Sequence, residues 1–294
     1  MPSLKEVKNR ISSVTSTQQI TKAMKMVAAA KLRRAQDRII QIRPYSQKLS
    51  SLLSNVSSTI SGDIENKYAA EREINKVLIL VVTSDRGLCG AFNANVCKAV
   101  VALIQEKYAD LDKQGQVELL CVGKKGYDFF KRRNYKLIND FVELFADLNF
   151  DNAREAAELA MKGYEEGTYD VVDLVYNEFK NVATQIIRKE QFLPIAKVEN
   201  DSEEESLNLD YIFEPSQEEI IKDLIPYSLR ISFYKSLLES NAAEHGARMT
   251  AMGQATDNAQ ELLKQLKLTY NRTRQAAITK EILEIVGGAE ALSN

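Results

Sequence analysis

The sequence predicts an α/β protein in which two long helices, one at each end of the chain, pair as an antiparallel coiled coil, with a small α/β domain between them. Three observations predict this fold. Residues 227–286 lack proline and are rich in Ala, Leu, Glu, Gln and Lys. Residues 1–57 carry a regular apolar repeat, and the middle of the chain alternates strand-like apolar runs with helical segments. We therefore divide the chain into 1–57, 58–226 and 227–294.

The N-terminal helix is predicted from its start signal and its apolar spacing. Ser3 precedes the first apolar residue, and Glu6 is in position to close a capping box around it. The apolar residues then recur at intervals of three and four, which is typical of a left-handed coiled coil. Pro44 predicts a kink near Ile42 rather than an end. The repeat comprises Leu4, Val7, Ile11, Val14, Ala28, Leu32, Ala35, Ile39, Ile42, Tyr45, Leu49, Leu52 and Val56.

The C-terminal helix supplies the partner for this coiled coil. At about 1.5 Å per residue, 227–286 spans roughly 90 Å, so something beyond one compact domain must cover part of it. The N-terminal helix is the only other predicted helix of comparable length, so we pair 3–57 with 227–286. Small residues dominate 242–259 and the facing 23–30, which predicts closely spaced helices. The methionines there also fit a surface that adapts to several partner shapes.

The middle of the chain predicts a mainly parallel sheet. Residues 77–82 form a continuous apolar run, as expected for a strand buried on both faces. Further strands are predicted at 117–122, 135–138 and 171–179. Lys180-Asn181 turns the chain into an edge strand at 182–188. The intervening helices are predicted at 93–108, 125–132 and 151–165, and the acidic stretch 199–205 is predicted to be a solvated loop.

Composition limits where the chain resides. It is 45% hydrophobic and 27% charged, with no apolar run of membrane-spanning length and no signal or transit pattern at the N-terminus. We therefore expect an ordinary soluble protein that stays where it is made. Cys89, Cys97 and Cys121 form no C-x-x-C pair, so we expect reduced, mostly buried thiols.

Charge is distributed unevenly. The net charge of −2 hides a value of +9 for residues 1–57. A nucleic-acid-binding helix is expected to gather its basic residues on one face with interleaved aromatics, whereas here the charges surround the helix and Tyr45 is the only aromatic. The apolar face that a membrane-surface helix needs is committed to the coiled coil. Two interpretations of this basic helix remain: it binds an acidic protein partner, or its charged face is simply exposed to solvent.

No catalytic constellation stands out. The turn 83–90 follows the first strand, where α/β folds bind nucleotides, but it matches neither common glycine-rich phosphate-binding pattern. Gly123-Lys-Lys-Gly also lacks such spacing. His245 is the only histidine and has no second ligand one turn away. We predict structural turns, no catalytic residue, no cofactor and no metal site.

Five motifs together resemble a known family over the whole chain. They are Lys5-Glu-Val-Lys-Asn-Arg-Ile-Ser-Ser-Val, Gln19-Ile-Thr-Lys-Ala-Met-Lys-Met-Val-Ala-Ala-Ala-Lys, Thr83-Ser-Asp-Arg-Gly-Leu-Cys-Gly-Ala-Phe-Asn, Asp210-Tyr-Ile-Phe-Glu-Pro and Ile278-Thr-Lys-Glu-Ile-Leu-Glu-Ile-Val-Gly-Gly-Ala. They look like the γ subunit of F-type ATP synthases. The resemblance implies a Rossmann-like domain beside the coiled coil, and a rotor shaft that is not itself catalytic but couples proton flow to ATP synthesis or hydrolysis.

The resemblance also implies partners. One copy of the chain would stand inside a ring of three α and three β subunits and rest on the ε subunit and the membrane c-ring. It would bind no nucleic acid, would not insert into the membrane, and would lie at the cytoplasmic face of a bacterial plasma membrane. The chloroplast-type regulatory cysteine pair is missing, which predicts no redox control.

Family roles transfer by motif. Met24 and Lys25 would lie beside an acidic loop of β, and Ile285, Val286 and Leu292 would turn in an apolar bearing. Tyr211 and Glu214 would face the rotor ring. The residues expected to hydrogen-bond a β loop are Arg248, Arg274, Gln275, Thr279 and Glu281.

Two other classes remain as alternatives: a nucleotide-binding α/β enzyme with a coiled-coil arm, and a basic coiled coil that binds nucleic acid. Saturable nucleotide binding by the isolated chain would favour the first. Binding to duplex DNA that weakens steeply with salt would favour the second.

Overall fold

A computed structural model of the chain describes residues 3–58, 67–68, 72–195 and 217–293, with side chains except at 50, 53–58, 217–221 and 290–293. It contains two compact units. The helical unit consists of 1–28 and 248–294, and the sheet unit consists of 29–247. Helices α1 (Leu4–Ser58) and α6 (Gln217–Ser293) contribute to both units.

The sheet unit is built on a five-stranded sheet. Its strands are β1 (Val77–Val82), β2 (Val117–Val122), β3 (Lys136–Ile138), β4 (Val171–Phe179) and β5 (Gln185–Leu193), in the order β3-β2-β1-β4-β5. The first four are parallel, and β5 pairs antiparallel with β4 at the edge. The predicted mainly parallel sheet with an edge hairpin is therefore confirmed.

Helices cover both faces of the sheet. One face packs on α2 (Phe92–Lys107) and α4 (Lys124–Lys131), and the other on α5 (Phe150–Glu165) and residues 225–237 of α6. Every residue of β1 is buried because alternate side chains enter these two cores. The described elements also include a short helix α3 (Ala109–Lys113) and a 3₁₀ turn (Leu144–Asp147), neither of which was predicted.

Within the sheet unit, α1 and α6 run antiparallel. Arg43 of α1 contacts Glu239 of α6, and Tyr45 contacts Tyr227 further back along α6. Pro44 lies inside α1, which continues through it as predicted. Tyr45 was predicted to be buried in the repeat, but it is exposed. Its ring meets that of Tyr227 edge-on, and its hydroxyl donates to the Tyr227 hydroxyl at 3.1 Å.

Within the helical unit, the same two helices pair in the predicted antiparallel sense. The hydroxyls of Thr21 and Thr256 are 2.9 Å apart, and the side chain of Lys25 crosses α6 at Gly253. The backbone N–H of Glu6 donates to Ser3 Oγ at 3.2 Å, which confirms Ser3 as the helix cap. The buried residues of α6 here keep the spacing of a coiled-coil seam. Those with apolar side chains are Met252, Ala259, Leu263 and Leu266, and Gly253 is buried beside them.

Two element boundaries differ from prediction. Helix α6 begins at Gln217, so Pro226 lies inside it, and the flanking Ile225 is buried in the core and offsets the lost backbone hydrogen bond. Strand β5 was predicted at 182–188, and it instead runs from Gln185 to Leu193. The Asn181 side chain accepts hydrogen bonds from the N–H groups of Ala183 and Thr184, which holds this stretch in a turn.

Candidate partner-contact surface

The turn after β1 is held together by its own polar groups. Ser84 N–H donates to Asn93 Oδ1 at 2.9 Å, and Ser84 Oγ donates to the Arg86 carbonyl at 2.7 Å. Asp85 accepts from Lys124 N–H at 3.3 Å, and burial raises the pKa of its carboxyl. Leu88 adopts a left-handed conformation, with φ of 64°. These bonds tie β1 to α2 and α4, which favours the structural role predicted for the turn.

The other candidates for chemistry are also packed into the fold. His245 is buried in α6, and the described residues contain no cluster of three or more His, Cys, Asp or Glu with the geometry of a metal site. Cys89, Cys97 and Cys121 are buried, as predicted, and they form no disulfide with one another. Burial raises the pKa of Cys97 to about 11 and that of Cys121 to about 12, so both stay protonated at neutral pH.

The most unusual surface of the described chain lies on the helical unit. Ten of the fifteen exposed large apolar residues in the described part belong to this smaller unit. Half of these ten lie in one stretch of α6, from 278 to 289, in which every residue is exposed. The seam of α6 stops just before it, because Ala277 is the last partly buried residue among the side chains that the structure describes, which extend to 289. The stretch therefore carries apolar side chains that nothing in the described chain covers. They are Ile278, Ile282, Leu283, Ile285 and Val286.

The spacing of these residues places most of them on one side of the helix. Ile278, Ile282 and Ile285 recur at intervals of four and three, so they form a single stripe. Arg274 lies four residues before Ile278, and Glu281 four before Ile285, so a charge of each sign borders the stripe. An apolar stripe with a charged border is typical of a helix that packs against another protein.

Half of the twelve predicted contact residues lie in or next to this stretch. Arg274, Gln275, Thr279, Glu281, Ile285 and Val286 are all exposed. The Thr279 hydroxyl donates to the Gln275 carbonyl at 2.9 Å, which ties these two neighbours together on the helix surface. The fold thus gathers six of the predicted residues on one exposed segment.

The other predicted residues are more scattered. In the helical unit, Met24 is half-buried and Lys25 is exposed. Arg248 is half-buried and already interacts with another group of the chain. The side chain of Leu292, and all of Tyr211 and Glu214, lie outside the described residues.

Several exposed apolar residues were missed in the sequence. They are Ile278, Ile282 and Leu283 on α6 and Ile20 on α1, and all four lie outside the predicted repeat, which is the signal that could have identified them. Met26 and Val27 were predicted to lie in the seam at 23–30, and this prediction is wrong. Both are exposed, because Thr21 and Ala28 are the buried positions of this stretch and 26–27 lie on another side of the helix. Such residues cost free energy when exposed and point to burial by something else.

The α1 side of the helical unit is basic. Lys5, Lys8, Arg10, Lys22 and Lys25 are exposed, against a single acidic residue, Glu6. Within the described residues none of the five forms an ion pair. The unit therefore presents positive charge on one helix and an apolar stripe on the other.

None of the helices in the described ranges is long and apolar enough to cross a membrane.

Paired long helices attached to an α/β sheet, with an uncovered apolar stripe, indicate a protein whose main surface contacts other protein chains. A family model described as ATP synthase matches residues 3–292. The ATP synthase gamma chain of Cytophaga hutchinsonii is 62% identical over all of both chains. That of Chloroherpeton thalassium is 52% identical over 99% of both. The chain belongs to the ATP synthase gamma chain family.

Solved structures agree on the fold. The central stalk of the mitochondrial ATP synthase of Tetrahymena thermophila contains a chain that is 26% identical, with a TM-score of 0.56 over 80% of this chain and 99% of that one. A chain of the Euglena gracilis mitochondrial ATP synthase superimposes over 98% of this chain and 94% of its own, with a TM-score of 0.66. At 21% identity, the second likeness concerns the fold alone.

Proposed function

We propose that the chain is the central rotor shaft of an F-type ATP synthase and couples proton flow through the membrane ring to ATP synthesis or hydrolysis by rotation. In this role the chain is not catalytic, and it needs no cofactor of its own. One copy serves a hexamer of three α and three β subunits at the cytoplasmic face of a bacterial plasma membrane. The three segments 1–57, 58–226 and 227–294 act as shaft helix, foot domain and shaft helix.

One observation carries this proposal: the last part of α6, from 278 to 289, is a fully exposed helix with five large apolar residues. Burying an isoleucine side chain contributes about 1.5–3 kcal/mol, so exposure of five such groups strongly favours a partner. A ring of subunits that encloses a single helix from all sides fits a segment that is exposed all round.

The contacts to the hexamer follow from this arrangement. Ile285, Val286 and Leu292 turn inside an apolar sleeve of the hexamer. Removing their side chains from water stabilises the complex at every angle at which the shaft stops. Arg274, Gln275, Thr279 and Glu281 hydrogen-bond β loops, and Arg248 does so lower on the shaft. Met24 and Lys25 face an acidic segment of β, which gives the exposed positive charges of α1 a partner of opposite sign.

The foot is the domain 58–226, which contains the five-stranded sheet. Tyr211 and Glu214 face the membrane c-ring, and the ε subunit packs beside them. The buried parallel sheet gives this end of the rotor a rigid body to hold.

Rotation acts on the β subunits because the shaft is not symmetric. An apolar stripe on α6 and positive charge on α1 meet each β subunit at a different angle, so each rotor position favours one conformation of each β. Moving a two-state equilibrium from 1:99 to 99:1 takes about 5.5 kcal/mol of differential binding. A few apolar side chains at 1–2 kcal/mol each, together with charged hydrogen bonds, supply a difference of this size.

The test is a reconstitution with the cognate α and β subunits. ATP hydrolysis is measured for this chain alone, for α with β, and for all three, with the chain titrated into a fixed amount of the other two. We expect no turnover by the chain alone and strong activation that saturates at three α and three β per chain. Turnover by the isolated chain would overturn the proposal and favour a nucleotide-binding enzyme, with the turn at 83–90 as its site.

A further inference from the structure

Glu239 of α6 joins three elements of the sheet unit at one point. Its side chain is 2% exposed. Oε1 accepts from Arg43 Nε at 3.0 Å and from Arg43 Nη2 at 2.9 Å, while Oε2 accepts from Arg43 Nη2 and from the backbone N–H of Phe179, both at 3.2 Å. Arg43 Nη2 also approaches the Phe179 carbonyl at 3.4 Å. The pair therefore brackets the last residue of β4.

The same hairpin contacts α6 again, seven residues further along. A Cβ added to Gly246 would lie 3.4 Å from the Phe179 ring and 3.6 Å from the Val182 backbone, so the β4–β5 turn lies within van der Waals reach of the helix. The two contacts lie about two helical turns apart on one side of α6. The hairpin is therefore held at two points along the helix.

Another directional contact of α6 in this unit is the pair between Arg230 and Glu158 of α5, at 3.1 Å. The face of α6 that meets the sheet does so through Leu229, Phe233 and Leu237, which are apolar. Apolar packing is non-directional and resists sliding only through shape. A carboxylate that accepts from a guanidinium and from a backbone N–H fixes both position and angle. Arg43 and Glu239 thus give the sheet and the two helices a fixed orientation.

We propose that Arg43 and Glu239 are positioning residues that lock the sheet to the helix pair, so that foot and shaft turn as one body under load. This inference rests on the proposed rotor function. Torque on the sheet loads its contacts with the two helices, and apolar packing alone resists sliding only through shape. Because Phe179 at the end of β4 contacts both Arg43 and Glu239, it transmits this load to α1 and α6 together.

The test measures the torsional stiffness of the rotor in the assembled complex. The α and β subunits are fixed to a surface, and a probe is attached to a cysteine introduced at the exposed Lys98 of the sheet unit. The spread of probe angles is recorded while the rotor is paused. Glu239→Gln keeps the shape of the side chain and removes its charge, and we expect it to widen the angular variance about twofold or more, because charge-assisted bonds are roughly twice as strong as neutral ones.

A second variant separates positioning from stability. Arg43→Lys keeps the charge pair but loses the planar fork that brackets Phe179. We expect the melting temperature to stay near wild type while the angular variance rises. The matched control is Glu178→Gln, which removes the more exposed Glu178–Arg188 pair of the same hairpin, and it should leave the variance unchanged.

The outcomes are distinguishable. Wild-type variance in both Glu239→Gln and Arg43→Lys would overturn the proposal while leaving the rotor function intact. A variance that rises only in variants with a lowered melting temperature would reduce the pair to a structural role and also overturn it. A wild-type probe that never turns with ATP would instead refute the rotor function on which the inference rests.

Discussion

Removing the apolar end of the shaft tests the proposed hexamer contact most sharply. Ile285 is 71% exposed and Val286 is 56% exposed in the isolated chain. Complete burial of such a side chain contributes about 1.5–3 kcal/mol, so the uncovered fractions leave about 1–2 kcal/mol for each to gain in a sleeve. The double variant Ile285→Ser/Val286→Ser should therefore weaken binding by about 2–4 kcal/mol, which is roughly thirty- to a thousandfold in Kd.

The assay is the affinity of this chain for the cognate α/β assembly, together with the ATPase activity at saturation. The isolated variant should unfold at nearly the wild-type temperature, since neither side chain is buried there. The control is Ile40→Ser, because Ile40 is also an isoleucine on a long helix and is 66% exposed, but it lies in the sheet unit outside the proposed contact. Unchanged affinity in the double variant, or an equal loss in Ile40→Ser, would refute the reasoning.

Three further predictions concern the sheet unit. Gly123→Ala forces a side chain into a conformation with φ of +97° and places its Cβ 2.2 Å from a backbone oxygen. It should therefore lower the free energy of unfolding by about 2–6 kcal/mol in denaturant titrations. The control is Gly87→Ala, which should cost far less because the nearest neighbour of its Cβ would lie 3.8 Å away. Burial raises the pKa of Asp173 above its ordinary value of 3.8. The stability linked to its protonated form is therefore fully present below pH 3.8 and is lost as pH rises through the folded pKa. Asp173→Asn should be more stable than wild type at pH 7, with a difference that disappears in acid, and a pH-independent difference would contradict this. The pKa values of Cys97 and Cys121 are raised by burial, so a thiol reagent at pH 8 should label neither cysteine in the folded chain and both cysteines after denaturation. Rapid labelling of either cysteine in the native state would count against the buried arrangement.

Much of the fold was predictable because its strands and seams have local signatures. The run from Val77 to Val82 is apolar at every position, and the structure buries every one of its residues. The spacing of Val7, Ala28 and Leu32 gave the seam of α1, and all three are buried. These patterns could be recognised in the sequence because burial of one face of a helix, or of both faces of a strand, fixes the spacing of the apolar residues.

The misses came from side chains whose effect depends on their neighbours. The Asn181 side chain delays β5 by capping N–H groups of its own turn, which competes with strand propensity in a way that apolar patterning does not report. Tyr45 fits the repeat by type, yet it lies exposed beside another exposed aromatic, Tyr227. Arg43 and Glu239 are 196 residues apart, and no local pattern brings them together.

The candidate surface was predicted mainly by resemblance. Composition predicted a basic N-terminal helix and a long uncovered C-terminal helix, but it left the choice of partner open. The resemblance carried by the five motifs, one of which contains Ile285 and Val286, supplied the hexamer as an expectation. The structure adds that the whole stretch from 278 to 289 is exposed, and that Ile278 and Ile282 extend the apolar stripe beyond the predicted residues.

The measurement that tests the central claim most directly is rotation itself. The cognate α and β subunits are fixed to a surface, a probe is attached to the sheet unit of this chain, and ATP is added. The account predicts that the probe turns in one direction while ATP is present and stops when ATP is withdrawn. Steady ATP hydrolysis with a stationary probe would contradict it, because the shaft would then be a static part of the assembly.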